Sequence, residues 1–143
     1  MFIAHSDIVL SIDVIDDLLI SSSKDKTIKL WKMKEKEIAY EEIATFKGHL
    51  ESIGCVALAP KTLSFFISGS VDKSIKVWSI KQTMKTFQKQ KKILGKKEPI
   101  TVANALRSIF AHEKDINSLK FSPNEKLFAS ASQDKSIKVF IKF

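Results

Sequence analysis

The sequence is poor in the residues that most catalytic and metal sites require. It has one cysteine, Cys55, so no internal disulfide can form, which fits a reducing compartment. The setting of that thiol, IGCVALA, points to a buried spectator rather than a nucleophile. The four glycines are scattered at 48, 54, 69 and 95, which leaves no glycine-rich phosphate loop, and no G-x-S-x-G nucleophile elbow occurs. The three histidines lie 44 and 63 positions apart, without the close ligand pairs of zinc sites. No metal, cofactor or small-molecule substrate is therefore expected. No apolar run approaches the roughly 20 residues that cross a bilayer. The start, MFIAHSDIVL, lacks the basic region, apolar run and cleavage site of a secretory signal. A soluble, non-secreted chain with no membrane partner is expected.

Acidic residues are also scarce, 16 against 24 lysines and arginines, giving a formal charge of +8. The excess is local. Lys81, Lys85, Lys89, Lys91, Lys92, Lys96 and Lys97 face one acid, Glu98, between positions 81 and 105, so that stretch nets +6. Elsewhere the charges nearly balance, and 143 residues with 44% hydrophobic content suffice for one domain with a core.

What is present is a frame written three times: ISSSKDKTIKLW (Ile20 to Trp31), ISGSVDKSIKVW (Ile67 to Trp78) and ASASQDKSIKVF (Ala129 to Phe140). Each is preceded by a histidine (His5, His49, His112) that follows a small residue. An aspartate (Asp25, Asp72, Asp134) comes 20 to 23 positions after the histidine, and Trp31, Trp78 or Phe140 six positions after the aspartate. The first spacing of 44 matches a four-stranded blade repeat of roughly 40 to 45 residues. Short runs rich in Val, Ile and Phe, bounded by turn residues, read as strands: IVLSIDV, DLLISSS and TIKLWKM, then IGCVALA, SFFISGS and SIKVWSI, then INSLKFS, LFASAS and SIKVFIK. In TIKLW the alternation sends Ile28 and Leu30 to one face, Lys29 and Trp31 to the other. Fourth strands are expected within IAYEEIATF (Ile38 to Phe46) and LRSIF (Leu106 to Phe110). Trp31 to Phe46 is 15 positions and Trp78 to Phe110 is 32, so 17 extra residues sit between the third and fourth strands of the second unit. The lysine-rich stretch is expected to be a loop insertion there.

A serine, a histidine and an aspartate in every unit invite comparison with a hydrolytic triad. A triad needs one nucleophile on a strained turn and an oxyanion hole, whereas this chain repeats the constellation three times. The structural reading accounts for every member. An indole N–H can be accepted by a serine on the neighbouring strand, the histidine can bond that serine, and the turn aspartate can hold the histidine. The candidate network is His5, Ser21, Asp25 and Trp31; His49, Ser68, Asp72 and Trp78; and His112, Ser130, Asp134 and Phe140. Ser23, Ser70 and Ser132 have the same strand parity, which leaves the choice of serine open. Phe140 keeps the apolar filling of that place and drops the N–H.

The spaced His…Asp…Trp pattern, with Gly48-His49 and the frame SGSVDKSIKVW, resembles the WD40 family over almost the whole chain. The resemblance implies β-propeller blades and a non-catalytic protein-interaction scaffold. The Trp-Asp dipeptide of that family is not kept: Lys32, Ser79 and Ile141 follow the aromatic residue. Within the family, His112 to Phe140, HSDIVLSIDV and the insertion between them are similar to WD-repeat subunits of the U3 small nucleolar ribonucleoprotein, part of the small-subunit processome. That narrower resemblance implies a nuclear, nucleolar protein supporting pre-18S rRNA processing and ribosome biogenesis. Its partners would be other subunits of a large complex, with U3 snoRNA or pre-rRNA met indirectly or through the basic segment. A WD40 adaptor in a signalling or ubiquitin-ligase complex is the alternative, and a hydrolase the third.

The fold expected is all-β: about three antiparallel four-stranded blades, near 6–46, 50–110 with the insertion at 81–105, and 113–143 with its fourth strand missing. Propellers close with roughly four to eight blades, so a part of a larger propeller is expected. For the insertion, Lys89, Lys91, Lys92, Lys96 and Lys97 are candidates for RNA phosphates or an acidic partner. A solvated loop is the bland alternative, since Phe87 is the only aromatic residue there and no RNA-reading motif is visible.

Overall fold

The structure is a computed structural model that describes residues 1–34, 36, 39–95 and 97–142. Ile38, Lys96 and Phe143, which the sequence reading included, lie outside the described residues. The chain folds as a row of three sheets. The first contains β1 (Val9–Ile15), β2 (Leu18–Ser23), β3 (Thr27–Met33) and β4 (Tyr40–Lys47). β5 (Ile53–Leu58), β6 (Phe65–Ser70) and β7 (Ser74–Ser79) begin the second, and after α1 (Ile80–Leu94) and β8 (Ile100–Val102) the strand β9 (Arg107–Phe110) completes it. The third contains β10 (Ile116–Phe121), β11 (Leu127–Ser132) and β12 (Ile137–Ile141). Within each sheet consecutive strands pair antiparallel, as short hairpins dictate. β1, β5 and β10 lead their sheets, and β5 packs against both of the others.

A blade has two apolar faces and cannot bury either alone. β6 therefore reads FFISGS and is buried at all six positions, with Phe66 in the core shared with the first sheet and Phe65 and Ile67 in the core shared with the third. The outermost faces provide an internal control. Ile12 and Val14 on β1 are 61% and 46% exposed, whereas Val56 and Leu58, at the equivalent places on β5, are 5% and 2%. Ile137 and Val139 on β12 are 74% and 64% exposed, against complete burial of Ile75 and Val77 on β7.

Polar contacts also cross between sheets. Asp13 Oδ2 accepts the Leu58 N–H at 2.8 Å. Glu125, 2% exposed in the β10–β11 turn, accepts the N–H groups of Lys61 at 2.9 Å and Thr62 at 2.7 Å, and Lys142 caps it. Burial pushes this carboxyl up, but the Lys142 ammonium and the Thr62 and Lys61 donors outweigh it and hold it down at about 2. Burial pushes the Cys55 thiol up to about 12, which leaves it protonated and unreactive at neutral pH.

The insertion differs from the expected loop. It lies between the third and fourth strands of the second sheet, but it is a 15-residue helix followed by a strand. Ser79 caps the helix by accepting the Gln82 N–H at 3.0 Å, and Gly95 ends it in the left-handed region at φ 63°. Ile80, Thr83 and Phe87 are buried at helical spacing, and Lys has good helix propensity. Ile80 and Phe87 belong to the core between the first and second sheets. β8 then pairs parallel with β4, Ala44 opposite Ile100 and Phe46 opposite Val102, so the first sheet has five strands rather than four. The insertion of one blade thus covers the edge of its neighbour, a common way of blunting an exposed edge.

Ser22, Gly69 and Ala131 occupy one repeat position, and the local space at the first two differs. Ser22 is fully buried, and its hydroxyl has no partner among the described residues. A Cβ on Gly69 would lie 2.7 Å from both Cys55 Sγ and Ile116 Cγ2. Ser22→Ala should therefore stabilise the chain by about 1 kcal/mol, by removing an unpaired buried hydroxyl. Gly69→Ala should destabilise it by roughly 1 to 3 kcal/mol through overpacking. Urea-unfolding midpoints of the two variants should move in opposite directions; a shift in the same direction contradicts the assignment.

Candidate functional site

The β2–β3, β6–β7 and β11–β12 hairpins place the repeated side chains. In each, the aspartate sits in a short loop directly before a left-handed residue: Lys26 at φ 69°, Lys73 at 70° and Lys135 at 72°. The aspartate supports that conformation. Its Oδ1 accepts the backbone N–H two residues on (Thr27 2.9 Å, Ser74 3.0 Å, Ser136 2.9 Å) and the hydroxyl of the same residue at 2.6 Å in all three units. Its Oδ2 accepts the N–H of the residue after the histidine (Ser6, Leu50, Glu113) at 3.0 to 3.1 Å. The histidine Nδ1 completes the set, at 2.9 Å for His5–Asp25 and 2.8 Å for His49–Asp72 and His112–Asp134.

The other imidazole nitrogen, Nε2, lies 2.7 Å from Ser21 Oγ, 2.8 Å from Ser68 Oγ and 2.7 Å from Ser130 Oγ. Trp31 Nε1–H donates to Ser21 at 3.0 Å and Trp78 Nε1–H donates to Ser68 at 2.9 Å. The proton directions follow from what each group can do. An indole only donates, so the serine oxygen accepts from it and gives its own hydrogen to Nε2; Nε2 as acceptor leaves the proton on Nδ1, which donates to the carboxylate. The chain therefore runs from strand three through strand two to the histidine ahead of strand one, and ends in the hairpin turn.

Ser23, Ser70 and Ser132 serve elsewhere, accepting the N–H of Asp25, Asp72 and Asp134 at 3.0 to 3.1 Å. Phe140 lies opposite Phe128 in the ladder, as Trp31 lies opposite Leu19 and Trp78 opposite Phe66, and it stacks on Phe128 with ring centres 4.8 Å apart. Thr27, Ser74 and Ser136 were missed by sequence reasoning, although a hydroxyl two positions after each aspartate is visible in all three frames.

Electrostatics favour the ionised carboxylates. For Asp72, burial raises the carboxyl and the His49, Ser74 and Leu50 donors outweigh it, leaving it well below the usual range. Asp25 is likewise lowered, burial being outweighed by the Thr27 donors and His5. Asp134 is lowered chiefly by the Ser136 hydroxyl, against burial. The serines are sealed: Ser21, Ser68 and Ser130 are 2%, 0% and 1% exposed, and the three histidine side chains are wholly covered. Gly48 makes room before His49, since a Cβ there would touch the Trp78 ring at 3.3 Å and its φ of 150° suits glycine.

The lysines lie apart from the histidine network. Lys89, Lys91 and Lys92 are exposed on α1, and exposed Lys97 lies beyond it; Lys96 is outside the described residues. They are about the helix and not about the histidine network.

A model of the WD domain, G-beta repeat, matches residues 1–32, 40–79 and 103–140, three matches that each end at or beside one aromatic of the frame. The chain belongs to the WD40-repeat family. Transducin beta-like protein 3 of Mus musculus is 35% identical over 143 residues, and that of Homo sapiens 33% over 143 residues. U3 small nucleolar RNA-associated protein 13 of Saccharomyces cerevisiae is 33% identical over 139 residues. Each comparison covers 95% of this chain and 16% of the relative's length, so the chain spans about one sixth of the curated relatives it matches. The gap between the second and third WD40 matches, 80–102, contains α1 and β8.

In this WD40 chain the third unit lacks the indole donor but keeps its place. Phe140→Trp should be tolerated or stabilise by roughly 0.5 to 1.5 kcal/mol, the worth of one regained hydrogen bond to Ser130. Thermal or urea unfolding checks it; strong destabilisation would mean that the Phe140 place does not accept an indole.

Proposed function

We propose that the chain is part of a non-catalytic WD40 scaffold in the small-subunit processome, acting in the nucleolus in support of pre-18S rRNA processing. The observation that carries this reading is similarity over 95% of the chain to a protein named for association with U3 small nucleolar RNA. The three blades are taken as 6–46, 50–110 and 113–143. Further blades would cover the open faces around Ile12 and Val14 and around Ile137 and Val139. The histidine network serves the blades rather than a reaction: each serine is buried and its lone pair is engaged by an indole in two units of three. Function then belongs to surfaces that meet other protein subunits, with U3 snoRNA or pre-rRNA nearby.

Affinity purification of the tagged natural protein from nuclear extract tests the proposal. Enrichment of U3 snoRNA and of pre-ribosomal subunits over a mock purification is the expected result. Recovery of a signalling or ubiquitin-ligase complex without U3 snoRNA would overturn it in favour of a WD40 adaptor.

A further inference from the structure

The helical insertion regroups the lysines. In a loop, Lys89 to Lys97 would be one run; on α1 at about 100° per residue, Lys81, Lys85, Lys89 and Lys92 fall within an arc of about 80°. That arc points away from the face that buries Ile80, Thr83 and Phe87. All four are exposed. With a rise of 1.5 Å per residue they form a line roughly 16 Å long with a charge about every 5 to 6 Å. Lys91 instead turns toward the groove with Met84 and Phe87 and is not in the line.

Among the described residues the line has no counter-charge. The helix contains no acidic residue. Among the described residues, ion pairs engage Lys26, Lys29, Lys32 and Lys142, but none of the four stripe lysines. The helix has no need of four aligned lysines for its own sake: only Lys91 and Lys92 lie in the last turn, where they complement the helix dipole, and Lys81 sits in the first turn, where a cation is unfavourable. The stripe is anchored, because α1 is capped at both ends, packed through Ile80 and Phe87, and followed by β8 in the neighbouring sheet.

We propose that the exposed face of α1 formed by Lys81, Lys85, Lys89 and Lys92 is a docking site for the phosphate backbone of RNA. Phosphate contacts need point charges on flexible stems and carry no sequence information, which is what four lysines supply. A protein partner is held chiefly by buried aromatic and arginine anchors, and this arc has neither; Gln82 and Gln88 flank it on either side. The choice of RNA over DNA rests on the function proposed above, while the phosphate site itself does not.

The test is direct binding by the full chain of a fluorescent 20-nucleotide single-stranded RNA, titrated with KCl from 50 to 300 mM. Changing all four lysines to Gln should weaken binding about tenfold or more at 100 mM KCl and reduce the slope of log K against log salt by about 3, near 0.7 for each released cation. A control with the same charge loss at exposed Lys24, Lys47, Lys114 and Lys126 should change far less. Arg at the four stripe positions should retain binding. If the fourfold Gln variant melts below the wild type, Lys85→Gln with Lys89→Gln alone should still lower the slope by about half as much. Equal losses in stripe and control variants, or equal displacement by a poly-glutamate peptide, would overturn the site. Loss of U3 snoRNA co-purification with this binding intact would instead count against the proposed assembly, and equal affinity for DNA of the same length would remove the preference for RNA.

Discussion

The hydrogen-bond chain that ends on Asp25, Asp72 and Asp134 is the interaction on which the blades depend. It begins at a third-strand indole in two units, passes through a second-strand serine and a histidine ahead of the first strand, and ends on a carboxylate in the hairpin. One buried route therefore ties three strands and a turn together without using the backbone ladder. Its order is forced by chemistry: the indole only donates, the carboxylate only accepts, and serine and neutral imidazole each do both. The same order explains why a Ser–His–Asp arrangement with hydrolase-like distances has no corresponding exposure. The serine's role is to join two neighbours in the interior, and an unpaired member there would carry a full desolvation cost.

The second constraint is that a blade face must be covered. Equivalent residues are buried in the middle blade and exposed at the two ends, so burial here depends on position in the row rather than on residue type. Polar ties act across the same seams. Asp13 reaches the backbone of β5, and Glu125 reaches the β5–β6 loop from the third sheet. The insertion adds a third tie, leaving the second sheet as α1 and reaching the first as β8. Neighbouring blades are thus joined by apolar packing, by carboxylates that accept backbone N–H groups across the seam, and by a strand that one unit lends to the next.

Much of this was legible in the sequence because the repeat supplied its own controls. Three histidines, three aspartates and three aromatics at matched spacing placed the hairpins, and alternation in TIKLW placed the faces. The choice between Ser21 and Ser23 was not legible from parity alone. It depends on ladder register: Ser21 sits diagonally beside Trp31, while Ser23 lies beyond Ser22 and Ile28 at the turn end. The helix was masked by composition, since a lysine-rich stretch reads as solvated chain. The Ser79 cap, the apolar spacing of Ile80, Met84 and Phe87, and Gly95 together contained the contrary signal. β8 was harder, because three residues of ITV gain strand character only when an open edge such as β4 is available. Glu125 was silent for a similar reason: its partners Lys61 and Thr62 are 64 and 63 positions away.

The central claim, that the Ser–His–Asp constellation is an interior link rather than a reactive centre, is tested most directly at the Trp78 indole. Its N–H hydrogen exchange, followed by NMR in the folded chain, should be as slow as that of the core amides of β6 and β7, and should accelerate in Ser68→Ala while those amides stay protected. Rapid exchange of the Trp78 indole N–H in the intact wild-type chain would contradict the claim.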